Sequence, residues 1–292
     1  GTRTETLALA RRAVQIRERL SGPASIELAG SLERLGRVLT QRTAFDEAQQ
    51  ALDSSRGMFA TLNAPSGGAA VEVTESLGEL AMARSDFTVA QQSLEEVLVA
   101  REGAVGTDPV AVARTLRLLG DCARRQYDHE RARALLGRSQ QILQANLAGA
   151  HPELARTLTS LGRAEMLAGQ NDKAKADLER AIAVFDESLG QGSPPASDPM
   201  IALALLSVDL GDFATARVMI EQSHAIRLEE YGARHPLVAM TVYTSGLLHD
   251  ARGDIEAAAE AFEQTRRDLQ AVYGTRNLEL VRPDLDPAAR EA

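Results

Sequence analysis

The sequence predicts an all-α solenoid of antiparallel helix hairpins. Three observations predict it: a strict 42-residue period, apolar residues at helical spacing within each period, and a helix-forming composition. GDFATA (211–216) and GDIEAA (253–258) lie one period apart, and GQNDKA, YDHERA, SDFTVA and TAFDEA continue the series backwards to residue 43. The final letter of each phrase forms a ladder, Ala48, Ala90, Ala132, Ala174, Ala216 and Ala258. Twelve residues earlier stand Gly36, Gly78, Gly120, Gly162, Ala204 and Gly246, and four residues later Leu52, Leu94, Leu136, Leu178, Ile220 and Phe262. Periods of roughly 20–50 residues mark stacked units that share a core. One inserted residue would turn a helix's apolar stripe by about 100° and break the stack, which accounts for the strict interval.

Composition agrees. Hydrophobic residues make up 44%, aromatics only 3%, and Trp is absent, which favours helices over sheets. The net charge of −9 argues against nucleic acid or an anionic membrane as partner of the whole surface. There is no apolar run long enough to cross a bilayer; no signal peptide is visible, and Gly1 in place of Met suggests a cut start that could have removed one. A single cysteine, Cys122, rules out an internal disulfide framework and fits a reducing compartment, so the expected location is cytoplasmic.

The elements follow in order. Residues 1–22 read as the second helix of a unit whose first helix is missing, with Ala13 in register with Ala181; the chain is expected to begin inside an array. Residues 23–276 hold six tandem units. In 152–192, Leu154, Leu158, Leu161 and Ala164 line one face of a first helix, and Pro152 stands near its start. Gly169 offers the left-handed conformation that ends a helix. Ala174, Leu178, Ala181, Ile182 and Phe185 line the second helix. The small residues at 162 and 174 predict a close crossing. In the fifth unit SPPASDPM, with Asp198-Pro199, predicts a late first helix and a locally loosened stack. After 277, Pro283 and Pro287 oppose a regular helix, and 277–292 is expected to be a tail or linker.

These ladders resemble the tetratricopeptide repeat (TPR) family, in which a small residue of the first helix precedes an alanine of the second by twelve and a bulky residue by sixteen. The 42-residue period, with YGARHPLVAMTVYTSGLLHDARGDIEAA (231–258) and AGAHPELARTLTSLGRAEMLAGQNDKA (148–174), is similar to the kinesin-light-chain-like subclass, and lysine confined to Lys173 and Lys175 beside abundant arginine fits a GC-rich, bacterial genome. The resemblance covers about 2–276 and implies a right-handed superhelix. The asparagine usual in the subclass's first helix is replaced by Arg34, Ser76, Leu118, Ser160, Ala202 and Thr244, which argues against backbone clamping by an asparagine ladder.

No constellation for catalysis, metal or cofactor appears. His151 and His235 precede prolines at equivalent turns, and Cys122 occupies a core position of its helix. No HExxH, CxxC, GxSxG or phosphate-loop pattern is present. The resemblance instead implies a concave groove lined by the first helices. Mapped by register, that groove is acidic at Glu72, Glu75 and Glu79, then basic at Arg114, Arg117, Arg124, Arg125, Arg156 and Arg163. It is apolar at Ile201, Leu205, Tyr243 and Leu247. Arginine forks suit carboxylates or phosphates, so the expected ligand is a protein or peptide segment with acidic and then apolar side chains. The competing expectation pairs these arginines with Glu72, Glu79 and Asp121. The expected function is a non-catalytic interaction scaffold. The alternative is the sensor arm of a larger bacterial signalling enzyme, a caspase-like CHAT protease or a serine/threonine kinase, whose catalytic domain is its partner. A peptide-pheromone sensor acting alone is a third reading.

Overall fold

The computed structural model describes residues 3–62 and 68–273. Thirteen α-helices and no strand occur among the described residues. They are α1 (Arg3–Ser21), α2 (Ile26–Gln41), α3 (Phe45–Thr61), α4 (Gly68–Ala83), α5 (Phe87–Gly103), α6 (Pro109–Arg125) and α7 (His129–Asn146). There follow α8 (Pro152–Leu167), α9 (Asn171–Leu189), α10 (Ser197–Asp209), α11 (Phe213–Tyr231), α12 (Pro236–Ala251) and α13 (Ile255–Tyr273). The even-numbered helices are first helices of hairpins, and the odd-numbered ones from α3 onward are second helices. Contacts divide the chain into two units, Gly1–Leu135 and Leu136–Ala292, with the division inside α7. In the first unit α2 pairs with α3 and α4 with α5, while α1 packs on α2. In the second, α8 pairs with α9, α10 with α11 and α12 with α13. The expected tail at 277–292 lies outside the described residues.

The repeated phrase is the turn between paired helices. Thr43, Ser85, Tyr127, Gly169, Gly211 and Gly253, one per period, all take left-handed φ values between 59° and 81°. The next residue's N–H then reaches the carbonyl five positions back, from Ala44 to Leu39 through to Asp254 to His249, at 2.8–3.0 Å. This closes the first helix. Asp86, Asp128 and Asp212 next cap the second helix, their carboxylates accepting from the N–H of Val89, Arg131 and Thr215 at 3.1–3.2 Å.

The crossing is as tight as the ladders predict. A methyl group on Gly36, Gly162 or Gly246 would come within 2.5–2.6 Å of Leu52, Leu178 or Phe262. Ser55 and Ser223, small late residues of the second helices, donate to the carbonyls of Ala29 and Ser197, each 26 residues back, and Thr265 Oγ1 lies 3.3 Å from the equivalent Ala239 carbonyl. The fifth hairpin corrects an expectation. Its first helix does start late, but Pro194–Ala196 form a 3₁₀ turn in the missing place, and Ala196, Ser197 and Met200 are buried. The segment is packed, not loosened, because Ala196 and Met200 enter one core cluster with Phe185 and Ala155.

Candidate functional site

In the first unit the exposed sides of α2, α4 and α6 carry the charged columns. Two of their carboxylates have been drawn inside. Glu33 is buried; Ser76 Oγ donates to its Oε1 at 2.7 Å, and Arg37 Nε lies 3.3 Å away. Burial raises its pKa above the ordinary carboxylate value, against the Ser76 bond and the Arg37 charge. Glu75, only 1% exposed, takes a forked contact from Arg101 of α5 at 2.5 and 3.2 Å. Thr115 Oγ1 lies 3.1 Å from the same carboxylate, and Arg101 also donates to the Ala111 carbonyl in the first turn of α6.

The predicted arginines of this unit are engaged with acids of the same surface. Arg114 lies 2.6 Å from Glu79 and 3.3 Å from Glu75, Arg117 3.4 Å from Asp121, and Arg124 3.8 Å from Asp121. Arg125 is half-buried next to them on the same helix. Glu72 remains exposed.

In the second unit Arg156 is exposed and pairs with buried Glu153 at 3.3 Å. Arg163 donates to the Asp198 carbonyl at 3.4 Å. Leu205, Tyr243 and Leu247 are half-buried, the Tyr243 ring lying against Phe262 at 5.4 Å. Ile201 departs from the expected apolar surface: at 5% exposure it is a core residue of α10. Its neighbour Asp198 accepts from Arg227 of α11 at 2.6 Å.

Arg101 and Arg227 are the residues that the register reading missed. They stand three periods apart in a column otherwise filled by Phe59, Leu143, Phe185 and Leu269. Each bonds to the first helix of its own hairpin and to a carbonyl ten residues ahead, Ala111 or Leu237, in the next first helix. A charge inside an apolar column was the available signal.

The residues with chemical potential have structural work. Cys122 sits in a core cluster with Leu94, Leu118 and Leu119, and its thiol is pushed up to about 12, by burial first and then by Asp121. A thiol so held is not a nucleophile near neutral pH. His151 and His235 cap α8 and α12, Nδ1 accepting from the N–H of Glu153 and Leu237 at 3.1 and 3.2 Å. Among the described residues no group of three His, Cys, Asp or Glu could hold a metal ion, and no helix is long and apolar enough to cross a membrane.

A family profile described as Tetratricopeptide repeat matches residues 70–145, 112–187 and 195–271. No curated protein matches the chain. Among solved structures, one described as a kinesin light chain from Podosopora anserina with nearly identical TPR-like repeats is 21% identical, with a TM-score of 0.52 over 68% of this chain and 94% of that one. A Rap protein complexed with Competence and Sporulation Factor is 12% identical, with a TM-score of 0.70 over 94% and 78%. A signal transduction ATPase with numerous domains (STAND) and a tetratricopeptide repeat sensor, from Pyrococcus horikoshii, is 13% identical, with a TM-score of 0.59 over 96% of this chain and 42% of that one.

Proposed function

Because this chain belongs to the tetratricopeptide repeat family, we propose that it is a non-catalytic scaffold that holds a protein segment on the exposed sides of its first helices. The observation that carries this reading is the surface of α8, α10 and α12. Exposed Arg156 and half-buried Arg163 there share one set of helix faces with half-buried Leu205, Tyr243 and Leu247. Such a surface suits a segment with carboxylates followed by bulky apolar side chains. In the first unit, Arg114 would exchange Glu79 for a ligand carboxylate. A partly exposed ion pair of this kind contributes only about 0–1 kcal/mol and is easily replaced. The Rap neighbour, solved with a bound factor, supports the class of partner.

The test is an anisotropy titration with a labelled peptide of several Asp or Glu residues followed by Leu and Phe, beside a twin in which the acids are Lys. The reading expects the acidic peptide to bind and the twin to fail. It expects Arg156→Gln with Arg163→Gln to weaken binding at least about tenfold, the loss of about 1.4 kcal/mol. Equal binding of both peptides, or full affinity in the double variant, would remove this surface from the account.

The STAND neighbour favours a second reading, in which the array is the sensor arm of a larger signalling enzyme. Its discriminating observation is the full reading frame around this sequence. A His and Cys pair of a CHAT protease, or the HRD and DFG motifs of a kinase, would establish it; a frame without any catalytic motif would exclude it.

A further inference from the structure

Between α11 and α13, over the side of α12 opposite Tyr243 and Leu247, the second unit opens a cleft of about 660 Å³. Its origin is legible one period back. Where α9 and α11 face each other, Ile182 and Met219 fill the space, and Met219 also packs on the clusters around Leu203, Phe185 and Ile220. Forty-two residues on, the equivalents are His224 and Ala261, and beneath them Met200 and Leu203 have become Val242 and Ser245. Each change removes volume or adds polarity. The cleft is the space a large apolar side chain occupies at the preceding joint.

Its two carboxylates, Glu221 and Glu260, are joined in the lining by the uncharged Ser245 and Gln264 and by the imidazoles of His224 and His249. Glu221 and Glu260 stand exposed on its two sides, and no lysine or arginine lines it. Thr241 spends its one hydroxyl hydrogen on the Val238 carbonyl at 2.6 Å, so its oxygen accepts from His224 Nδ1 at 2.8 Å. The α11 lining runs from Ile220 to Leu228, about 12 Å or two turns of helix.

We infer that this cleft docks an amphipathic helix of a partner protein, one that inserts a large apolar side chain above Ala261 and sets Lys or Arg against Glu221 and Glu260. The inference goes beyond the scaffold reading and stands without it, since it uses another side of α12 and the opposite charge preference.

The probe is a labelled helix-forming peptide of about four turns, with Leu at i, i+3 and i+7 flanked by Lys, and a twin with Glu in place of Lys. The parent is expected to bind the Lys peptide and to reject the twin. Ala261→Met, which restores the side chain of the preceding joint, is expected to weaken binding at least tenfold while leaving helicity intact. Ser245→Leu makes the same test from the floor should Ala261→Met fail to fold. Glu221→Lys with Glu260→Lys is expected to reverse the preference between peptides. No binding of the Lys peptide, or equal affinity in a folded filled variant, overturns the proposal. Binding of dodecylammonium without any binding of the peptide also overturns it, since the cleft would then be a small-amphiphile pocket.

Discussion

Thr43, Ser85 and Tyr127 hold the left-handed backbone that glycine supplies at 169, 211 and 253. A side chain in that region costs about 1–2 kcal/mol, partly offset because glycine loses more freedom on folding. Replacing any of the three by Gly should therefore raise stability by about 0.5–1 kcal/mol in urea titration; a loss would contradict the turn assignment. The inverse holds at Gly162. An added methyl would stand 2.6 Å from Leu178 and 3.2 Å from the Ala174 carbonyl, so Gly162→Ala should cost about 1–3 kcal/mol. Unchanged stability there would mean that the helices do not cross as described.

Glu33 supplies a prediction with a sign. Its folded pKa is raised, so the folded chain binds its proton more tightly than the unfolded chain does. This group's contribution is then most favourable below the ordinary carboxylate pKa and declines as pH rises through the raised value. Relative to the parent, Glu33→Gln should gain stability as pH rises from the ordinary carboxylate pKa through the raised one, read as urea midpoints at a series of pH values. A difference that stays flat with pH would show that burial does not govern the carboxylate.

At the scale of elements, two arginines do similar work at different cost. Arg101 compensates a carboxylate that is 1% exposed, whereas Arg227 pairs with Asp198, whose side chain is 53% exposed. Removing one partner of a buried pair leaves an uncompensated charge, worth about 3–5 kcal/mol. Arg101→Leu should lose the lower end of that range, because Arg114 still lies 3.3 Å from Glu75, and adding Glu75→Leu should recover most of it. Arg227→Leu should lose less, because Asp198 can turn to water. Equal losses, or no recovery in the double variant, would show that the contacts are incidental.

The same scale shows what the sequence could reveal. Helix order, turns and crossings were legible because each rests on residues that recur at one register position, such as Gly162, Ala174 and Leu178. Repeat five was misread because SPPASDPM, with Asp198-Pro199, suggested a loosened stack, while the burial of Ala196 and Met200 depends on Phe185 and Ala155 in two other helices. The charged columns were legible as composition but not as geometry. Whether Glu75 faces solvent is decided by Arg101, 26 residues away on another helix, and whether Ile201 is exposed is decided by the packing of α10.

Over the whole molecule, 41 acidic and 32 basic side chains give a net charge of −9, so the arginine-bearing first helices stand out against an acidic background. An acidic segment would be steered to them with a rate that falls as salt rises. The most direct measurement is affinity capture from lysate of the cells that make the protein. The chain would be compared with its Arg114→Gln, Arg156→Gln, Arg163→Gln variant. Neutralisation is preferred to reversal because buried Glu75 and Glu153 lie beside Arg114 and Arg156. The account predicts a partner retained by the parent and lost by an equally stable variant. Equal capture by both would contradict it.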